Sequence, residues 1–110
     1  MNVPEISPEE LARAMAGPEE ERPVLLDVRG KQEFDRVALP GACLIPLPEI
    51  SARTGELERF KGRRVVTYCH HGMRSLRAAA FLRQLGVDAV SLTGGIDRYA
   101  QTVDPKLPRY

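Results

Sequence analysis

Val65-Val66-Thr67-Tyr68-Cys69-His70-His71-Gly72-Met73-Arg74-Ser75 runs from an apolar, β-branched stretch straight into a polar loop. Val65 to Tyr68 are residues of the kind that pack well on a pleated surface, and they predict a buried strand. Beyond the loop, Ala78, Phe81, Leu82 and Leu85 fall at i, i+3, i+4 and i+7, with Arg77, Arg83 and Gln84 off that face. Gly86 then supplies a stop. The segment therefore reads strand, polar loop, amphipathic helix.

Outward from that unit the same alternation continues. Toward the N-terminus, Val24-Leu25-Leu26-Asp27-Val28 is a continuous apolar run, the pattern of a strand covered on both faces. Lys31 to Arg36 predicts a helical turn or two, and Ala42-Cys43-Leu44-Ile45, between Pro40-Gly41 and Pro46, a short strand. Residues from there to Lys61 show a mixed pattern. At the start, Ser7-Pro8-Glu9-Glu10 has a serine cap, proline at the first helical position and a glutamate three residues on, predicting a helix to about Ala16. Toward the C-terminus, Asp88 to Thr93 predicts a strand, Gly94-Gly95 a turn, Ile96 to about Val103 a helix, and Asp104 to Tyr110 a proline-bearing tail. Strands alternating with helices predict an α/β domain with a largely parallel sheet, in which sites collect where strands end and helices begin.

Composition bounds the rest. A chain of 110 residues fits one domain, residues 1–110, and 43% hydrophobic with 28% charged residues is the profile of an ordinary globule. Lysine and arginine total 16 against 15 acids, so the net charge of +1 gives no electrostatic footprint for nucleic acid. Met1 to Glu10 carries acids instead of a basic stretch followed by an apolar run, which predicts no secretory signal. No apolar run approaches the roughly 20 residues that cross a bilayer, and a cytoplasmic location is the default expectation. Without a heptad or a long exposed apolar stretch, the expected state is a monomer.

Cys69 stands at the end of the predicted strand, immediately before a helix. There it faces the positive end of the helix dipole and backbone N–H groups that lack an intrahelical partner. Arg74 adds a fixed positive charge, and Gly72 lets the backbone curl so that successive N–H groups point inward as an anion-binding nest. Each of these favours thiolate over thiol. A buried free cysteine is often only a small core residue. Two histidines, a glycine, an arginine and a serine are a poor core lining, however, and they favour the functional reading. Cys43 lies within an apolar strand with no adjacent base or cation and reads as core packing. His70 and His71 are potential zinc ligands, but adjacent residues in a tight loop do not converge on one ion and the spaced pairs of a zinc site are missing, so no metal is expected. Loop histidines are either solvent-facing and idle or lend positive charge to the mouth of an anion pocket. Asp104 and the scattered acids read as solvated surface.

Along most of its length the chain resembles the rhodanese-like domain family. Leu26-Asp27-Val28-Arg29 with Glu33-Phe34 is similar to the family's D-x-R and E-F segment, and Leu39-Pro40-Gly41-Ala42 with Ile45-Pro46 to its I-P-G-A and I-P segment. Tyr68-Cys69-x-x-Gly72-x-Arg74-Ser75 resembles its active-site loop, and Leu92-x-Gly94-Gly95-Ile96 its late glycine turn. The ending, Asp104-Pro105 with Leu107-Pro108-Arg109-Tyr110, looks like tails of bacterial members. Ala38 stands where the family commonly has histidine, and Tyr99 where it commonly has tryptophan.

The resemblance implies a small α/β domain with a mostly parallel five-stranded sheet flanked by helices. It also implies a thiosulfate sulfurtransferase that needs no cofactor, in which Cys69 carries sulfur as a persulfide. By the same comparison His70, His71, Gly72, Met73, Arg74 and Ser75 form the substrate-binding loop. Asp27 and Arg29 would support the site, with a structural ion pair between Arg29 and Glu33 as the alternative. The implied partners are a small sulfur donor such as thiosulfate and a nucleophilic acceptor, either a thiol or a sulfur-carrier protein; no nucleic acid and no membrane are involved. Two other classes fit less well. Cysteine-dependent phosphatases and arsenate reductases of the related fold have one more residue between cysteine and arginine, where only four intervene here. A non-catalytic interaction module would not need to keep both Cys69 and Arg74, whereas a partner-fed sulfur relay would use the same competent loop to serve a partner protein.

Overall fold

The computed structural model describes residues 2–110. Five strands form one sheet: β1 (Glu5–Ile6), β2 (Val24–Asp27), β3 (Cys43–Leu44), β4 (Arg64–Tyr68) and β5 (Asp88–Leu92). Their order is β1-β5-β4-β2-β3, and every neighbouring pair is parallel. Four helices accompany them: α1 (Pro8–Met15), α2 (Lys31–Arg36), α3 (Met73–Gln84) and α4 (Gly95–Thr102). The mixed stretch of sequence forms two 3-10 segments, Leu47–Ala52 and Thr54–Phe60.

Alternation along the strands explains why the apolar runs are continuous. Val24, Leu26 and Val28 join Val65, Ala89 and the α3 residues Ala78, Ala79 and Leu82 in one core layer, which the 3-10 segments close with Ile50, Leu57 and Phe60. Leu25, Val66, Tyr68, Val90 and Leu92 face the other way and pack with Leu11 of α1 and Ile96 of α4. Burial of both faces of a central strand removes the polar alternation that a half-exposed strand would show.

Local sequence fixes the boundaries. At the start of α1 the Ser7 hydroxyl accepts from the Glu10 amide at 3.1 Å, while the Glu10 carboxylate accepts from the Ser7 amide at 3.0 Å. Such a capping box contributes about 1 kcal/mol. The expected face of α3 needs one correction: Leu85 is 43% exposed. Its amide bonds back to Leu82 in a tighter final turn, which rotates it off the apolar stripe. β1 is only two residues long, too short to leave a periodic signal, and forms by pairing with Ser91 and Leu92.

Because all strands run the same way, the segments that follow β2, β4 and β5 emerge at one edge of the sheet. Asp27 pairs in register with Tyr68, and Thr67 with Ser91. That register brings the Asp27-to-Arg29 segment, the Cys69 loop and the Gly94-Gly95 turn side by side.

Candidate active site

Cys69 leaves β4 with only 1% of its surface exposed. The Gly72 amide donates to its Sγ at 3.1 Å, and Ser75 Oγ lies 3.5 Å from the same sulfur in hydrogen-bonding geometry. Gly72 adopts φ 108°, a conformation that side chains rarely take, and so turns its N–H back toward the sulfur as it caps α3. As a thiol, Cys69 donates to the Ser75 oxygen; once ionised it can only accept, and the Ser75 hydroxyl would reach it only by turning from the Gly72 carbonyl.

A polar column beneath the loop holds Ser75. Its hydroxyl bonds the Gly72 carbonyl at 3.2 Å and the Ser91 hydroxyl at 2.8 Å, while the buried Thr67 hydroxyl donates to the Ser75 carbonyl at 2.8 Å. Ser91 is a polar residue at an inward-facing position of β5, a signal that was present in the sequence but not read as part of the site. From above, the first amides of α4 clamp the loop: Ile96 N donates to the Cys69 carbonyl at 2.9 Å and Asp97 N to the His70 carbonyl at 3.1 Å. These are helix-terminal donors that would otherwise lack partners. Gly95 permits the clamp, because a Cβ there would collide with the Cys69 and His70 carbonyls.

Arg74 points to the rim, with 39% of its side chain exposed, and forms a two-pronged pair with Glu33 of α2 at 2.6 and 2.9 Å. This arrangement pulls the Glu33 carboxyl down to about 2, chiefly through the Arg74 hydrogen bonds and against partial burial, with Tyr110 helping. The Arg74 guanidinium is correspondingly held charged by Glu33, and the Cys69 charge adds to the same effect. The alternative pairing of Arg29 with Glu33 is therefore corrected: Glu33 takes Arg74, and Arg29 takes Asp27. Glu33, read in the sequence only as an alternative partner for Arg29, stands beside the loop through Arg74.

Asp27 and Arg29 are both fully buried. Arg29 Nε donates to Asp27 Oδ1 at 2.9 Å, and Arg29 Nη2 to the Val37 carbonyl at 2.6 Å. Burial works against the Arg29 charge, but the bonds to Asp27 and Tyr110 outweigh it and raise its pKa. The third donor, Nη1, reaches the Tyr110 hydroxyl at 2.7 Å, and that hydroxyl donates to Glu33 Oε2 at 2.7 Å. Tyr110 stands 77 positions from Glu33 in the chain, and nothing in the sequence links the two.

The histidines differ. His71 has 65% of its side chain exposed and lies 3.7 Å from Asp97, whose other contacts include Arg109 at 2.9 Å. His70 is sandwiched, its ring 3.9 Å from the His71 ring and 3.9 Å from the Tyr110 ring. Burial, with the neighbouring His71 adding to it, lowers its pKa and favours the neutral ring, and its Nε2 is buried without a partner. Among the described residues His70, His71 and Asp97 bring possible ligand atoms within 4.8 Å of one another. The two adjacent histidines, expected not to converge on one ion, thus lie with Asp97 in one small group. Their rings are stacked, with planes 25° apart. Met73, the first residue of α3, is 72% exposed. Cys43 sits apart on β3, half-buried against the core.

The rhodanese-like domain model matches residues 7–102. The chain is 39% identical over 87 residues to the probable adenylyltransferase/sulfurtransferase MoeZ of Mycobacterium tuberculosis, covering 78% of this chain and 22% of that protein. It is 37% identical over 100 residues to a sulfurtransferase of Allochromatium vinosum, covering 90% of each. The rhodanese-like domain protein of Staphylococcus aureus has the same fold, with a TM-score of 0.79 at 27% identity over 97% of this chain and 98% of that one. The chain spans only about a quarter of the length of the first curated relatives it matches. Among the described residues no helix is long and apolar enough to cross a membrane.

Proposed function

The chain belongs to the rhodanese-like domain family, and from that premise we propose that it moves a sulfane sulfur from a donor such as thiosulfate to a nucleophilic acceptor through a persulfide on Cys69. The observation that carries the reading is the Gly72 amide aimed at the Cys69 sulfur at 3.1 Å, at the head of a helix whose second residue is Arg74. An amide donor at the sulfur stabilises negative charge there, both on the attacking thiolate and on the terminal sulfur of a persulfide. The sulfurtransferase of Allochromatium vinosum, similar over nearly its whole length, supports the same class of reaction.

In the first half-reaction the Cys69 thiolate attacks the outer sulfur of thiosulfate. A bond forms between the two sulfurs, the sulfur–sulfur bond of thiosulfate breaks, and sulfite leaves with the electron pair. In the second, a nucleophile attacks the terminal persulfide sulfur and Cys69 leaves as thiolate; with cyanide the product is thiocyanate. Two half-reactions through a covalent intermediate give ping-pong kinetics. Arg74 meets the anionic donor at the rim, Ser75 and Gly72 hold the sulfur, and the Asp27–Arg29 pair supports the loop from below. The residues form one domain, a monomer in solution, and work in the cytoplasm.

In the cell the acceptor is a thiol or a sulfur-carrier protein. The likeness to MoeZ, whose name joins adenylyltransferase and sulfurtransferase, is compatible with a carrier. The test is the intact mass of the protein after thiosulfate treatment, beside a Cys69→Ser control. A gain of one sulfur that needs Cys69 and is released by cyanide as thiocyanate is expected. No gain, with a Cys69 that still alkylates readily, would remove thiosulfate as donor.

A further inference from the structure

Tyr110 joins two ion pairs that belong to different elements. Its hydroxyl accepts from Arg29 Nη1 and donates to Glu33 Oε2, both at 2.7 Å. Behind Arg29 stands the buried Asp27 carboxylate, and beyond Glu33 stands Arg74. A single file of alternating charges thus runs from the end of β2, through a phenol, to the half-exposed Arg74 cation. The Tyr110 ring lies flat on His70, 3.9 Å away with planes 9° apart, and the Arg36 guanidinium sits 5.6 Å from its centre. The hydroxyl is itself kept protonated: burial raises it to about 12, Glu33 adds to the rise and Arg29 opposes it.

Without this phenol, Glu33 keeps only the Gly30 amide, at 3.2 Å, as a backbone anchor. A half-exposed arginine paired to a loosely held carboxylate samples many directions, whereas a carboxylate fixed at both oxygens presents the guanidinium fork in one plane. We propose that Tyr110 is a positioning residue for the loop, setting the direction of Arg74 through Glu33 and holding His70 against the Cys69 segment through its ring. The inference rests on the reading of Arg74 as the cation that meets anionic reagents at Cys69. Tyr110 touches no reacting atom and acts only through these partners.

The test compares Cys69 alkylation by iodoacetate, an anion, with alkylation by neutral iodoacetamide, scored by peptide mass at neutral pH and low salt. Neither reagent requires sulfur transfer, so the result stays readable even if no donor is ever found. Arg74→Gln is expected to lower the iodoacetate-to-iodoacetamide ratio about fivefold, and Tyr110→Phe about threefold, the latter with the iodoacetamide rate nearly unchanged. The ring-current shift of the His70 protons should survive in Tyr110→Phe and vanish in a chain ending at Arg109, which also shows the lowered ratio. Equal changes in both rates in the Tyr110 variants would reveal a merely structural role and overturn the proposal. An unchanged ratio in Arg74→Gln would overturn it as well, by removing the cation that Tyr110 is said to aim.

Discussion

The Gly72 amide and the Cys69 sulfur are joined at 3.1 Å by a backbone that only glycine adopts without strain, with φ at 108°. The residue that caps α3 is therefore the one that reaches the nucleophile. Helix start and sulfur site are one structure.

Gly72→Ala should damage both. A Cβ there would come within 3.3 Å of the Gly94 amide nitrogen, and the left-handed backbone itself costs about 1–2 kcal/mol. Thermal melting should fall accordingly, and iodoacetamide should react with Cys69 about tenfold more slowly as the amide turns away. Full reactivity in a destabilised variant would show that the sulfur does not depend on this donor.

Ser75 and Ser91 share a buried hydroxyl contact at 2.8 Å. Ser75→Ala should cost about 1–3 kcal/mol, because Ser91 is left buried without its partner. Replacing Ser91 by alanine as well should cost less than the sum of the two single losses, since the orphaned group is gone. Additive losses in chemical denaturation would mean that the two hydroxyls are energetically independent.

Asp27→Asn tests the buried pair behind the loop. Arg29 is fully enclosed, so removing the charge of its partner strands a cation where water cannot reach it. A loss of about 3–5 kcal/mol is expected from equilibrium unfolding. A loss below about 1 kcal/mol would place the stabilisation of Arg29 with Val37 and Tyr110 instead.

Acid should act through Glu33, whose carboxyl is drawn down to about 2, mainly by Arg74. A carboxylate with a pKa lower in the fold than in the unfolded chain adds stability that is fully present above about pH 4.5 and disappears as the pH falls toward 2. With allowance for solvent at the rim, about 1–2 kcal/mol is involved. Glu33→Gln should flatten that part of the stability curve between pH 5 and 2, and an unchanged acid slope would assign the effect to other carboxylates.

Gly95→Ala probes the clamp from α4. The new methyl would meet the carbonyls of Cys69 and His70, which are backbone atoms that cannot swing aside. The loop should shift, with melting lowered and persulfide formation on Cys69 reduced at least about tenfold. Normal loading in this variant would show that the loop position tolerates the displacement.

Much of this was legible in the chain. Val24 to Val28 and Val65 to Tyr68 announced themselves as strands because both faces of each are buried, and Ser7 with Glu10 announced α1 because a capping box is a local matter. Gly72, Arg74 and Ser75 stand within six residues of Cys69, so the loop could be read from the local residues together with their resemblance to the family's active-site loop. Leu85 misled because periodicity extends a helix face past the point where the last turn tightens. β1 escaped because two residues carry no period.

The sequence by itself determined the alternation of strands and helices, the placing of a cysteine at a strand-to-helix junction and the glycine that lets the loop curl. Those features depend on neighbours a few residues apart, whose preferences the backbone expresses locally. Only the tertiary structure decided the partners of the charges. Asp27 against Arg29, Glu33 against Arg74 and the Tyr110 hydroxyl between them meet because a parallel sheet delivers separate segments to one edge. An ion pair depends on position in space: Asp27, Glu33 and Asp35 all stood near Arg29 in the sequence, and no acid stood near Arg74.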